Sequence, residues 1–216
     1  TTTDLLYMDY DIRSTDFSYT LEAWDINGNV NVLGSTTALT TYSLPYGNSL
    51  ISFRGNLPTT NTQEYVESIG DVEFIIGQGV GLFNTAEGWS GNLNELDPFS
   101  GYWINLSSEK TWSTSMEGGY LDPCTQYQLS FGNNLLSYLG DNQSTISALG
   151  GNQLSQHFPF IIGQGVGLFN TVDGWSGNLN NLEPKKGYWL NVSSTYPWYI
   201  SGEGSPFRWN INNGCE

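Results

Sequence analysis

The residues best able to do chemistry in this chain are aromatic rings and amides that recur in matching positions. Trp89 and Trp175, Trp103 and Trp189, and Trp112 and Trp198 form three such pairs. Aromatic faces beside Asn, Gln and Ser suit a sugar, which offers C–H faces to stack on and hydroxyls to hydrogen-bond. Trp89 and Trp175 each sit in a Gly-Trp-Ser-Gly-Asn stretch that reads as an exposed turn, which makes them the candidate ligand-binding tryptophans. Gln78 and Gln164, Asn84 and Asn170, and Asn92 and Asn178 join them, because Asn and Gln supply both donors and acceptors. The same amides also bond their own backbone in turns. A recent duplication preserves every residue alike, so recurrence alone assigns no role. Trp103 and Trp189 follow Tyr102 and Tyr188 in strand-like runs, where neighbouring side chains point to opposite faces. Those two tryptophans are assigned to the core.

Other chemistries find little support. The matched carboxylates Glu87/Asp173, Asp97/Glu183 and Glu117/Glu203 show no spacing that demonstrates a glycosidase acid and base, and they read as solvated surface charge. His157 is the only histidine, which rules out a His-rich zinc site and leaves a Ser-His-Asp triad dependent on one residue without a partner motif. No Walker loop or nucleophile elbow occurs, and Gly-Gln-Gly-Val-Gly lacks the setting of a dinucleotide fingerprint. No enzyme activity and no cofactor are expected. The one cofactor alternative is calcium, for which Asp25-Ile26-Asn27-Gly28-Asn29 resembles the opening of a binding loop without its terminal Glu, against a plain hairpin turn.

These residues are carried by an acidic chain of 216 residues, with 6 Lys and Arg against 21 Asp and Glu and a formal charge of −15. Such a field repels a phosphate backbone or an anionic bilayer, and the nearest thing to a basic cluster is Lys185-Lys186. Nucleic acid and membrane insertion are therefore not expected. Abundant Gly, Asn, Ser and Thr with 14% aromatics suit short strands joined by turns. Thr1 in place of Met suggests a processed chain or an excised domain. Cys124 and Cys215 are a possible disulfide in an oxidising compartment, with two free buried thiols as the alternative.

One duplication organises the chain. Residues 74–108 and 160–194 are identical at 27 of 35 positions. Upstream, Tyr42, Leu44, Gly47, Asn48, Leu50 and Ser52 recur 85 residues later as Tyr127, Leu129, Gly132, Asn133, Leu135 and Ser137. The expected fold is mainly β, or α+β if one short helix forms per repeat. Two tandem homologous small domains, 42–123 and 124–216, follow an N-terminal β-hairpin-rich segment at 1–41. Strands are expected at Leu5–Met8, Phe17–Trp24, Val30–Leu33, Leu50–Phe53, Val72–Ile76 and Gly101–Leu106, with repeats of the last three at Leu135–Tyr138, Phe158–Ile162 and Gly187–Val192. A helix is expected near Val66 and Ile69, Gly-Gln-Gly-Val-Gly-Leu-Phe-Asn-Thr is expected to turn or bulge, and the tail with Phe207 and Trp209 is expected to end in a strand.

The pattern of Gly-Asn-x-Leu-x-Ser-Phe/Tyr, followed by Gly-Trp-x-Gly-Asn-Leu and then Gly-Tyr-Trp, resembles repeat units near the ends of secreted, multidomain bacterial surface proteins. The resemblance covers both repeats and implies an extracellular, cell-surface or adhesive setting with no catalytic residues. The expected function is a non-catalytic extracellular attachment module with a duplicated binding surface for carbohydrate, a glycan or other cell-surface polymer. The alternative is a structural or assembly subunit of a surface layer, filament or virion, whose partners are copies of itself.

Overall fold

Short runs of branched and aromatic residues, interrupted by Gly, Asn and Pro, give a fold that is mainly β, with several antiparallel sheets and, among the described residues, two short helices. The computed structural model describes residues 19–24, 30–36, 38–150, 157–193 and 205–210. Strands β1 (Tyr19–Trp24) and β2 (Val30–Thr36) form an antiparallel pair. The strand expected at Leu5–Met8 and the turn or calcium loop expected at Asp25–Asn29 lie outside the described residues.

The first repeat contains β3 (Ala38–Leu44), β4 (Gly47–Ser52), β5 (Gly55–Asn56), α1 (Thr62–Ile69), β6 (Val72–Gly77), β7 (Val80–Thr85), β8 (Gly88–Gly91), β9 (Gly101–Leu106) and β10 (Lys110–Tyr120). Its main sheet runs β4-β9-β6-β7-β8, antiparallel throughout, while β10 pairs with β3 and β5. Helix α1 starts where the Asn61 side chain accepts a hydrogen bond from Glu64 N and stops at Gly70, whose φ is 72°. It buries Tyr65, Val66 and Ile69 against the inner face of the sheet, which supplies Ile51, Ile75, Leu82, Tyr102 and Ile104.

The second repeat contains β11 (Tyr127–Leu129), β12 (Gly132–Ser137), β13 (Gln143–Ser144), α2 (Thr145–Ala148), β14 (Phe160–Gly163), β15 (Val166–Thr171), β16 (Gly174–Gly177), β17 (Asn181–Leu182), β18 (Gly187–Val192) and β19 (Ser205–Phe207). Its sheet, β12-β18-β14-β15-β16, reproduces the first strand for strand. Phe207 in β19 lies opposite Tyr127, as Trp112 in β10 lies opposite Tyr42. Trp209 is fully buried beyond it, and its ring nitrogen donates to Ser137 O. Trp198, the sequence counterpart of Trp112, lies outside the described residues.

One expectation is met in part and another is corrected by the sheet. The glycine-rich stretch turns only at Gln78-Gly79, and the following Val80–Thr85 is a regular strand. In the Tyr-Trp pairs it is tyrosine that enters the core: Tyr102 and Tyr188 are buried, while Trp103 and Trp189 lie half-buried on the outer face. Each phenol also reaches a backbone partner, with Tyr102 Oη accepting from Asp97 N and Tyr188 Oη from Glu183 N.

The repeats meet where β4 and β9 approach β12 and β18. Ser52 N donates to Lys185 O, and Ser137 N donates to Phe99 O, the equivalent bond with the repeats exchanged. At the centre a Cβ on Gly187 would lie 2.8 Å from Ile51 O and 3.2 Å from Gly101 Cα. A Cβ on Gly101 would lie 3.1 Å from Leu136 O and 3.2 Å from Gly187 Cα. The two glycines therefore set how closely the backbones approach. Gly187→Ala should force the units apart and cost about 1–3 kcal/mol, read as a lower urea midpoint.

Burial pushes Tyr102, Tyr127 and Tyr188 up to about 12. A tyrosine whose pKa rises on folding contributes stability that is complete below its unfolded value of about 10 and is lost as pH climbs through the folded one. Alkaline titration should therefore unfold the protein between about pH 10 and 12, with phenolate absorbance from these rings appearing together with loss of the sheet signal in circular dichroism.

Candidate functional site

Gln78 occupies the tip of the β6–β7 turn, where it can reach beyond its own sheet. Its Nε2 donates to Asn133 O at 2.8 Å, and its Oε1 accepts from Leu135 N at 2.8 Å. Gln164, at the tip of the β14–β15 turn, makes the reciprocal pair with Asn48 O at 2.8 Å and Leu50 N at 2.9 Å. Both side chains thus bind the outer edges of β4 and β12, whose backbone groups point away from their own sheets. The amide acts as a one-residue strand, satisfying an edge that would otherwise be open.

The remaining expected amides act within their own repeats. Asn92 and Asn178 each accept from a strand N–H, that of Gly81 or Gly167, at 2.9 Å. The Asn84 side chain donates to Val72 O, and at the matching position the backbone N–H of Asn170 donates to Pro159 O. Trp89 and Trp175 belong to the edge strands β8 and β16 rather than to turns, and each is half-buried against its repeat's core. Trp89 also borders a shallow hollow formed by Thr85 to Ser90. The eight residues chosen from sequence do not gather in one place: the glutamines lie at the junction, the tryptophans at the far edges.

A different set of repeated side chains does gather. Cross-strand register aligns Asn48, Asn105, Phe74, Phe83 and Ser90 in one row across the outer face of the first sheet. At a strand spacing of about 4.8 Å the row spans about 19 Å. The next row carries Leu50, Trp103, Ile76 and Gly81. Phe74 and Phe83 have ring centroids 6.0 Å apart, and Asn105 Nδ2 donates to Asn48 Oδ1 at 2.6 Å. A Cβ on Gly81 would meet the Phe83 ring at 2.9 Å, so this ring lies across a position that only glycine leaves open. Phe83 nevertheless remains 43% exposed.

The second sheet repeats the arrangement with Asn133, Asn191, Phe160, Phe169 and Ser176. Phe160 and Phe169 are 6.1 Å apart, Asn191 Nδ2 donates to Asn133 Oδ1 at 2.6 Å, and Phe169 is 46% exposed. Chemically, each row offers apolar ring surface beside amide and hydroxyl groups. Phe83 and Phe169 lie in the stretch expected to turn or bulge, which hides their place on a strand face, whereas Phe74 and Phe160 fall in expected strands. Once that stretch is a strand, alternation sends Leu82 inward and Phe83 outward.

Among the described residues no group of three His, Cys, Asp or Glu could hold a metal ion. Nor is any helix there long and apolar enough to cross a membrane. Cys124 is disulfide-bonded, and Cys215, the only other cysteine of the chain, lies outside the described residues. Set against models of protein families, curated proteins and solved structures, the chain matches none.

The glutamine contacts make a direct prediction. Gln78→Ala and Gln164→Ala should each cost about 1–3 kcal/mol in urea unfolding, because two backbone groups lose their partners at once.

Proposed function

We propose that this chain is a non-catalytic attachment module that presents two equivalent aromatic and amide surfaces to a glycan or other cell-surface polymer. The observation that carries the reading is the row of Asn, Phe and Ser on an outer sheet face, present twice with matching ring separations. A pyranose stacks its C–H face on a ring and bonds its hydroxyls to neighbouring amides. Two such rows raise avidity when both engage one polymer. An extracellular or cell-surface location fits the disulfide at Cys124, since such bonds persist in oxidising compartments.

An assembly role is the second reading, favoured by the sheet edges. The inner edges β4 and β12 are covered across the junction, whereas β8 and β16 end their sheets. Val172, in the turn before β16, is fully exposed. An uncovered edge can pair with another copy.

A glycan array probed with and without calcium separates the two. Phe83→Ala and Phe169→Ala should each weaken binding about tenfold or more, and together abolish it, while circular dichroism stays unchanged. Absence of binding on every glycan, with concentration-dependent sedimentation, would replace the attachment reading with assembly.

A further inference from the structure

The reciprocal junction should create two equivalent hollows, one beside each edge strand, yet among the described residues the two are built differently. Beside β12 the space is filled. Phe99 from the first repeat packs against the second core, with its ring 5.8 Å from that of Tyr127. Below it, Asn134 is buried and locks the preceding loop, its side chain accepting from Ser130 N and donating to Ser130 O, both at 2.8 Å.

Beside β4 each of these residues is replaced. Lys185 stands where Phe99 would, Ser49 where Asn134 would, and Pro45, which has no N–H, where Ser130 would. The result is a cleft of about 800 Å3 between the repeats, bordered by Leu50, Ser49, Asn142, Asn181, Lys185 and Lys186. Lys185 turns its ammonium back to Thr41 O, and its backbone takes φ 68°, a left-handed conformation unusual for lysine. Ser49 is 5% exposed, and its hydroxyl is buried without a hydrogen-bond partner.

We propose that this single cleft binds an anionic saccharide, a short chain of uronic acid residues. Its volume is that of a small-ligand site. The exposed Ser43, Asn142 and Asn181 match sugar hydroxyls, and Leu50 provides apolar wall. Lys185 and Lys186 are two of only six Lys and Arg in a chain of charge −15; with Glu183 also on the wall they leave one net positive charge. That local reversal of sign selects a carboxylate over a neutral sugar. The site is distinct from the duplicated outer faces and does not depend on them.

The test uses the full chain and isothermal titration with trigalacturonate and trimannuronate, each beside its methyl ester. The acid form of at least one should bind, its ester at least tenfold more weakly. Grafting the filled junction's residues into the open one (Glu183→Asp, Lys185→Phe, Lys186→Ser) should abolish binding, and Lys186→Glu alone should weaken it at least tenfold without changing the urea midpoint. Phe83→Ala with Phe169→Ala should leave it intact, whatever those variants do on a glycan array. The proposal is overturned if neither acid binds, if ester and acid bind alike, or if Lys186→Glu and a folded graft both bind as the parent does.

Discussion

The two sheets depend on the exchange of one glutamine each. A five-stranded antiparallel sheet has two edges, and an edge strand carries backbone donors and acceptors that water, another strand or a side chain must satisfy. In β4 the outward-facing Asn48 O, Leu50 N and both backbone groups of Ser52 find partners, from Gln164, Lys185 and Tyr42. In β12 the same positions are met by Gln78, Phe99 and Tyr127. Because the contact is reciprocal, each repeat completes the other, as the halves of an isologous dimer do. Arg54 adds a tie without a counterpart, donating to Leu139 O and pairing with Asp141.

This constraint explains much of the repeated sequence. Gly77 and Gly79 flank Gln78 because a tight turn must lift the amide clear of the sheet; Gly79 has φ 74°, and Gly165 repeats it at 71°. Gly101 and Gly187 recur because the backbones approach too closely for a Cβ. Asn92 and Asn178 hold the strand that follows each glutamine turn. Residues that look like a binding signature on paper are, in large part, the requirements of one intramolecular interface.

The duplication and the mainly β character were legible from the chain alone, as were β9 and β18, whose boundaries follow directly from Gly-Tyr-Trp-Ile-Asn-Leu and its repeat. Helix α1 was legible through the spacing of Val66 and Ile69, while its cap proved to be Asn61. What could not be read was which face of a strand turns inward. In Tyr102-Trp103 both residues are aromatic, and the answer depends on Ile104 and Leu106 falling in phase with the tyrosine. Nor could the partners of Gln78 be read, because they lie 55 and 57 residues away in sequence. Local turn chemistry and a distant edge strand both call for an amide, and only the tertiary arrangement separates them. The same ambiguity placed Trp89 in a turn, since Gly-Trp-Ser-Gly carries turn residues although it pairs with β7.

A duplicated chain reverses the usual use of identity between sequences. Identity between the repeats reports what both copies need in order to fold against each other, because the interface uses the same residues twice. Function needed only once must reside where the copies differ. The differences at the junction are few and sit together: Phe99 against Lys185, Ser130 against Pro45, Asn134 against Ser49. Each one removes filling or a lock from the same hollow, and Lys185 brings charge to its wall. Packing by itself gives no reason to open one hollow of a symmetric pair, since interiors gain by being filled. Keeping the other hollow closed with Phe99 shows that this backbone accepts the filled arrangement, so the open one is a departure that the fold does not require.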